Sequence, residues 1–328
     1  MLIRRGACWL QLFALLCLVG LAQAMDKAPF PYVWGTAYHV LPGTHNNEEG
    51  YFSLCQAHNG KLYLGTACDR LNAYLVEFDP ATAQQRVAVD TNQLCGATGT
   101  GNAAQAEIHT RNFVGPSGTI YFGSFHGSFR QDDPSVYPGG YVMTYHPETG
   151  QGACLGIPAP GEAITDVIAD EARGVLYVTT MGESRWFRYE IRTKTYRALG
   201  PRVLSFAGPL LDARGRAHVL TTDFQLATYD PKTDRVTTRD ILVDGRRWQP
   251  ASNIPIWVMA QDRRTAYLVM MADPTLLRFD LLAPGPAVRA ANLGKMIDGT
   301  APDSRAGLTI GADGNVYALF RVNNETGF

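Results

Sequence analysis

The chain has 328 residues, 46% of them hydrophobic, with a formal net charge of -1. That length supports a large core, as one repeat domain or two ordinary ones. Near-neutral charge argues against general binding of nucleic acid or of an anionic membrane surface, and leaves room only for a local patch that takes an acidic ligand.

The N-terminus reads as an export signal. Arg4 and Arg5 precede the apolar run ACWLQLFALLCLVGLAQA, which closes on Ala22-Gln23-Ala24. A short basic region, an apolar stretch and an A-x-A site define a secretory signal peptide. Residues 1–24 are therefore expected to be removed, and the mature chain to be secreted or periplasmic. Nothing later in the sequence reaches membrane-spanning length. Cys17 follows Leu16 and not a small residue, which argues against lipidation. Cys8 and Cys17 leave with the signal. Cys55, Cys68, Cys95 and Cys154 remain, and an oxidising compartment allows them up to two disulfides of open pairing. No C-x-x-C is present, which argues against a cysteine zinc site.

From residue 50 onward one pattern recurs: a turn, then a short strand with Tyr three positions after the turn residue. The copies are GKLYLGT from Gly60, GTIYFGS from Gly118, GVLYVTT from Gly174, GRAHVLT from Gly215, RTAYLVM from Arg264 and GNVYALF from Gly314. A second element follows most copies, as in LVEFDPATAQQ, VMTYHPETGQ, WFRYEIRTKT, LATYDPKTDR and LLRFDLLAPG. Aromatic and β-branched residues alternating between turn residues indicate antiparallel hairpins. Each unit then holds four strands, A to D, and four-stranded units of this length predict an all-β fold, a β-propeller. No segment keeps the 3.6-residue apolar period that a helical solenoid needs. Five units are complete; the sixth stops at Phe328 after its A and B strands. The expected domain is residues 25–328, a six- to seven-bladed ring whose last blade is incomplete, with residues 30–42 available as an outer strand.

The second unit carries the candidate chemistry. His109 starts its strand A and His126 ends its strand B. Pairing about the Pro116-Ser117 turn sets His109 opposite Ser124 and His126 opposite Glu107, so both belong at one rim, where loops carry function. Alternation in HTRNF puts His109, Arg111 and Phe113 on one face. The loop GSFRQDDPSVYPGGY adds Arg130, Asp132, Asp133 and Tyr137. A titratable pair, permanent cations and a tyrosine at one mouth suit proton abstraction beside a carboxylate. The competing view is one packed and one exposed histidine that never cooperate.

The same mapping places further polar residues on the rim: His45, Asn46 and Glu49 with Asp69 and Arg70; Asp166 with Glu183 and Arg185; Ser205 with Asp223; Asn253 with Asp273; Arg305 with Asn324. A divalent metal (Ca, Mn or Zn) needs a third ligand beside the histidines, for which His45, Glu49 or His39 are the candidates. THNNEEG, residues 44–50, offers oxygen ligands but lacks the alternating Asp pattern of a calcium loop. TGTGNAAQAE, residues 98–107, is glycine-rich but lacks the lysine and the strand–loop–helix setting of a phosphate loop. His218 occupies the repeated tyrosine slot and reads as structural; His58 and His146 lie in turns. No G-x-S-x-G elbow is present.

Over most of residues 50–328 the strand-turn repeat resembles the secreted seven-bladed propellers of the quinoprotein-like and lactonase-like group. More narrowly, it resembles propeller polysaccharide lyases of the ulvan and oligogalacturonate type. That resemblance implies histidine roles for His109 and His126, an acid role for Tyr137, and Arg111 or Arg130 as clamp on a uronate carboxylate. The blade-by-blade tryptophan pattern that docks a quinone is absent. The expected function is thus an exported, monomeric propeller that cleaves an acidic carbohydrate by β-elimination. The alternatives are a non-catalytic carbohydrate- or protein-binding propeller, and a metal-dependent lactonase or esterase using Glu49, Asp166, Asn253 and Asp273.

Overall fold

Among the described residues, the turn-plus-tyrosine repeat, with histidine in the slot once, builds the second strand of each blade of a β-propeller. A computed structural model describes residues 35–48, 53–271, 273–297 and 307–320. The chain divides into two compact units, residues 1–39 and 40–328; the described part of the first, residues 35–39, contains no strand. The expected signal peptide, Glu49, Arg305 and Asn324 lie outside the described residues.

In the second unit, blade 1 runs β1 (Leu54–Gln56), β2 (Leu62–Gly65), β3 (Tyr74–Asp79), β4 (Gln84–Asp90). Blade 2 has its first strand in two pieces, β5 (Glu107–Ile108) and β6 (Phe113–Val114), then β7 (Ile120–Phe125), β8 (Val142–His146) and β9 (Gln151–Gly156). Blade 3 is β10 (Ala163–Asp170), β11 (Val175–Met181), β12 (Trp186–Glu190), β13 (Thr195–Ala198). Blade 4 is β14 (Leu210–Leu211), β15 (Ala217–Leu220), β16 (Gln225–Asp230), β17 (Arg235–Val243), with β18 (Arg246–Arg247) on its edge. Blade 5 is β19 (Pro255–Met259), β20 (Thr265–Met270), β21 (Asp273–Asp280), β22 (Ala287–Lys295). The hairpin β23 (Gly307–Ile310) and β24 (Val316–Leu319) begins a sixth. Neighbours within a blade are antiparallel, and the outer strands β17 and β22 pair in parallel, fusing blades 4 and 5 into one sheet.

The cores lie between blades, because each strand of a sandwiched sheet alternates its side chains to two neighbours. On β7, Ile120 and Phe122 pack towards blade 1 beside Tyr63 and Leu75, while Tyr121 packs towards blade 3 beside Val167 and Leu176. The slot tyrosines then anchor their hydroxyls: Tyr63 donates to Glu77 at 2.7 Å and Tyr121 to Glu171 at 2.9 Å, across to blade 3. His218, fully buried in the same slot, bonds Asp212 at 3.0 Å and Thr228 at 2.9 Å. Of the four cysteines among the described residues, Cys95 and Cys154 form a disulfide from the single-turn helix α1 (Thr91–Cys95) to β9. Cys55 and Cys68 are free thiols, and burial pushes Cys55 up to about 12.

Blade 2 departs from ideal alternation. Its register sums to 232 along β5–β7 and to 234 along β6–β7, so the inner strand bulges across residues 109–112. Asn112 sits at φ +43°, a left-handed turn that Asn tolerates better than most. The Thr110 hydroxyl accepts the Gly123 N–H at 3.1 Å, replacing a lost ladder bond. The bulge separates His109, Arg111 and Phe113, which strict alternation places on one face. Arg111 turns into the hub: its Nε donates to Asp166 of β10 at 2.6 Å and its Nη1 to the carbonyl of Trp257 in β19 at 2.7 Å. The Trp257 indole N–H donates to the Gly208 carbonyl at 2.7 Å. A Cβ on Gly208 would collide with the Asp166 carboxylate and the Arg111 guanidinium, so only glycine fits there. Asp166, expected on the rim, is a buried partner of this hub.

Removing one member of a largely buried pair strands the other charge. Asp166→Asn is expected to lower unfolding free energy by about 2–3 kcal/mol, and Arg111→Met with Asp166→Leu to lower it by less. Urea unfolding of the three proteins checks the order; equal stability of Asp166→Asn and wild type would remove the hub from the account.

Candidate functional site

The two histidines meet around one phenylalanine. The Phe125 ring lies 4.9 Å from that of His109 and 4.5 Å from that of His126. Phe129 stacks on His126 at 4.4 Å, Tyr137 meets it edge-on at 5.3 Å, and Phe206 closes on His109 at 5.2 Å. Phe206 comes from the loop before blade 4 and holds φ +66°, a conformation so uncommon for a bulky residue that it marks a constrained position. The result is an aromatic strip across the mouth of blades 2 to 4, buried at Phe125 and open at Phe129, which is 55% exposed.

The polar groups around it divide into committed and available ones. His109, buried, donates from Nδ1 to Glu107 at 2.5 Å. His126, half-buried, donates from Nδ1 to the Gly127 carbonyl at 2.8 Å, so in the neutral ring Nε2 carries the lone pair. Burial lowers the His126 pKa below its ordinary value; the Gly127 carbonyl, Glu107 and Asp69 oppose that shift, and His109 adds to it. The two imidazoles therefore share one electrostatic neighbourhood. Tyr137 is buried with its hydroxyl 3.3 Å from Gln105, and burial with the charge of Glu107 holds its pKa well above the ordinary value.

Both candidate arginines are occupied. Arg111 belongs to the hub, and Arg130 forms a two-point pair with Asp132 at 2.8 and 2.5 Å on the loop surface. Carboxylates gather instead: Asp69 accepts the Ser128 N–H at 2.6 Å, and Glu48 accepts the Asp69 N–H at 2.8 Å. Burial and the charges of Asp69 and Glu107 raise the Glu48 pKa against a backbone bond that lowers it. Arg70 lies 3.6 Å from Asp69.

The glycine-rich stretch holds an internal anion. Asn102 N–H donates to the Asp133 carboxylate at 2.8 Å, and Asn102 Nδ2 donates to the carbonyls of Arg130 and Asp133 at 2.8 and 2.9 Å. Gly101, at φ +64°, leaves no room for a Cβ against Asp133. This latch fixes the loop that carries Phe129 and Tyr137. As for a metal, His45 donates from Nδ1 to the Asn72 carbonyl at 2.7 Å, and among the described residues no three His, Cys, Asp or Glu side chains converge on a metal position.

Glu107, Phe125, Phe129 and Phe206 complete the site beyond the residues singled out by sequence. GSFHGSF carried a signal, since it sets phenylalanines one before and three after His126. Phe206 had none, being placed by blade packing alone.

No protein-family model matches the chain, and no curated protein matches it in sequence. Solved structures do share its architecture. The periplasmic gluconolactonase of Pseudomonas aeruginosa superposes with a TM-score of 0.50 at 16% identity, over 80% of this chain and 76% of that one. The Malassezia sympodialis allergen Mala s 1 gives 0.49 at 11% identity, over 74% and 78%. An extracellular domain from a one-component system of B. thetaiotaomicron gives 0.46 at 14% identity, over 82% of this chain but only 38% of that one. The chain thus spans well under half of that domain. At such identities the likeness is one of fold.

His126 is expected to titrate below 6.5 in the folded protein. The unfolded chain then binds its proton more readily, so its contribution to stability is full above pH 6.5 and lost as pH falls towards the folded value. Proton NMR of the imidazoles gives the midpoint; His126→Asn should flatten the loss of stability between pH 7 and 5. A midpoint above 6.5 would contradict the assignment.

Proposed function

We propose that this chain is an exported β-propeller that binds a sugar-derived lactone or ester on the blade-2 aromatic strip and hydrolyses it with His126 as general base. The observation that carries this reading is the half-buried imidazole of His126, its pKa lowered by burial and its Nδ1 fixed by the Gly127 carbonyl. Export is supported by the basic, apolar and A-x-A order of residues 1–24. Stacked aromatic faces suit the apolar face of a sugar ring, and Phe129 is open to receive one.

In this reaction Nε2 of His126 takes a proton from water as the water oxygen bonds to the carbonyl carbon, and the C=O electron pair moves onto oxygen. When the carbonyl re-forms, the bond to the ring or alcohol oxygen breaks, and that oxygen takes the proton from the imidazolium. The product is a hydroxy acid, or an acid and an alcohol. The Glu107–His109 pair orients the rim beside it. Elimination across an acidic polysaccharide is the weaker reading: it needs a cation free to neutralise a uronate, yet Arg111 and Arg130 are held by Asp166 and Asp132. The carboxylates of Glu48, Asp69 and Glu107 also favour an uncharged substrate over a polyanion. The hydrolysis of gluconolactone by a similarly folded periplasmic protein adds a compatible precedent for the reaction class.

A panel of aldonolactones and sugar acetates, measured against the uncatalysed rate, tests the proposal. The expected result is turnover that His126→Gln lowers by about 10²–10⁴-fold in kcat, with KM changed little, and that Phe129→Ala weakens through KM. Turnover equal in wild type and His126→Gln would overturn it. Sugar binding without any turnover would make the protein a binding module.

A further inference from the structure

A second mouth opens at the other end of the inner hairpins, where the A–B turns converge. An axial cavity of about 390 Å³ lies there. Blades 2 to 5 each contribute an apolar wall, through Val114, Ile168, Leu211 and Met259, and blade 1 contributes His58 at the edge. One permanent cation stands in the lining, Arg263. Its backbone is pinned: its N–H donates to the Ala260 carbonyl at 2.9 Å, and its own carbonyl accepts the Ala213 N–H at 2.8 Å. It holds φ +49°, a left-handed conformation, and its Nη2 donates to the Asp212 carbonyl at 3.1 Å.

Arg263 forms no ion pair among the described residues, and the carboxylates around it are engaged. Asp212 is held by Arg216 and His218. Asp262 caps Thr265 and the Arg264 amide. Glu171 accepts from Ser117 and from Tyr121. A fixed guanidinium without a counter-ion beside an apolar cavity is complementary to a small organic anion with an apolar body. It does not suit a long polyanion, because the described walls offer no further arginine or lysine. We propose that this mouth binds an aryl or branched aliphatic carboxylate, whose body fills the cavity and whose carboxylate meets Arg263. This site is separate from the blade-2 mouth and independent of the activity proposed there.

Calorimetric titration of the full chain with benzoate, with isobutyrate, with uncharged benzamide and with inorganic phosphate tests the assignment. Benzoate is expected to bind at least about ten-fold more tightly than benzamide, and phosphate not at all, since both the charge and the body are needed. Arg263→Gln should weaken benzoate at least about five-fold, with Arg263→Lys between the two. Ala260→Trp, which fills the cavity wall, should abolish binding. If that variant fails to fold, as read by circular dichroism, the Arg263→Gln result decides alone. Absence of benzoate binding, or equal binding by wild type and Arg263→Gln, overturns the proposal.

Discussion

The ion pair of Arg111 and Asp166 organises this molecule. It stands where blades 2, 3 and 5 converge, tied through Trp257 to Gly208 on the approach to blade 4. A guanidinium drawn to the axis cannot come from a regular strand that also sends His109 to the rim, so the strand must bulge. Thr110 and Asn112 make the bulge affordable in hydrogen-bond terms, one by replacing a ladder bond and the other by adopting a left-handed turn. The position of His109 in the aromatic strip is thus a consequence of where Arg111 goes.

The same internal matching of charges explains the character of the mouth. Asp133 fills the anion-binding backbone of the glycine-rich stretch, and Asp132 neutralises Arg130 on the same loop. Glu162 is buried against Arg185 in blade 3. With Arg111, Arg130 and Arg185 answered from within, the rim presents rings, the half-buried His126 imidazole, Arg70 and a group of carboxylates. A site of that kind suits recognition by stacking and by proton transfer more than by fixed positive charge, which is the basis of the ester hydrolysis proposed above.

The two ends of the blade-2 hairpin differ in kind. At the His126 end, titratable groups crowd together and influence one another. At the Pro116 end, apolar walls surround a single guanidinium. Each core cluster is shared chiefly by adjacent blades. This near one-dimensional arrangement is what repeat folds share.

By itself the sequence determined the blades. Tyr63, Tyr121, Tyr177, His218, Tyr267 and Tyr317 all lie on second strands, and the Asp-Pro-Thr turns all join third to fourth strands, because both signals are local: period-two alternation and turn chemistry. It also placed His109 and His126 at one end of one hairpin. Only the tertiary structure decided what surrounds them. The two-residue register change in blade 2 separated Arg111 from His109, burial set the Tyr137 hydroxyl against Gln105, and Phe206 arrived from the loop before blade 4. Those outcomes depend on which charges find partners across blade interfaces and on how alternate faces are covered, and neither is written in the spacing of residues along a single strand.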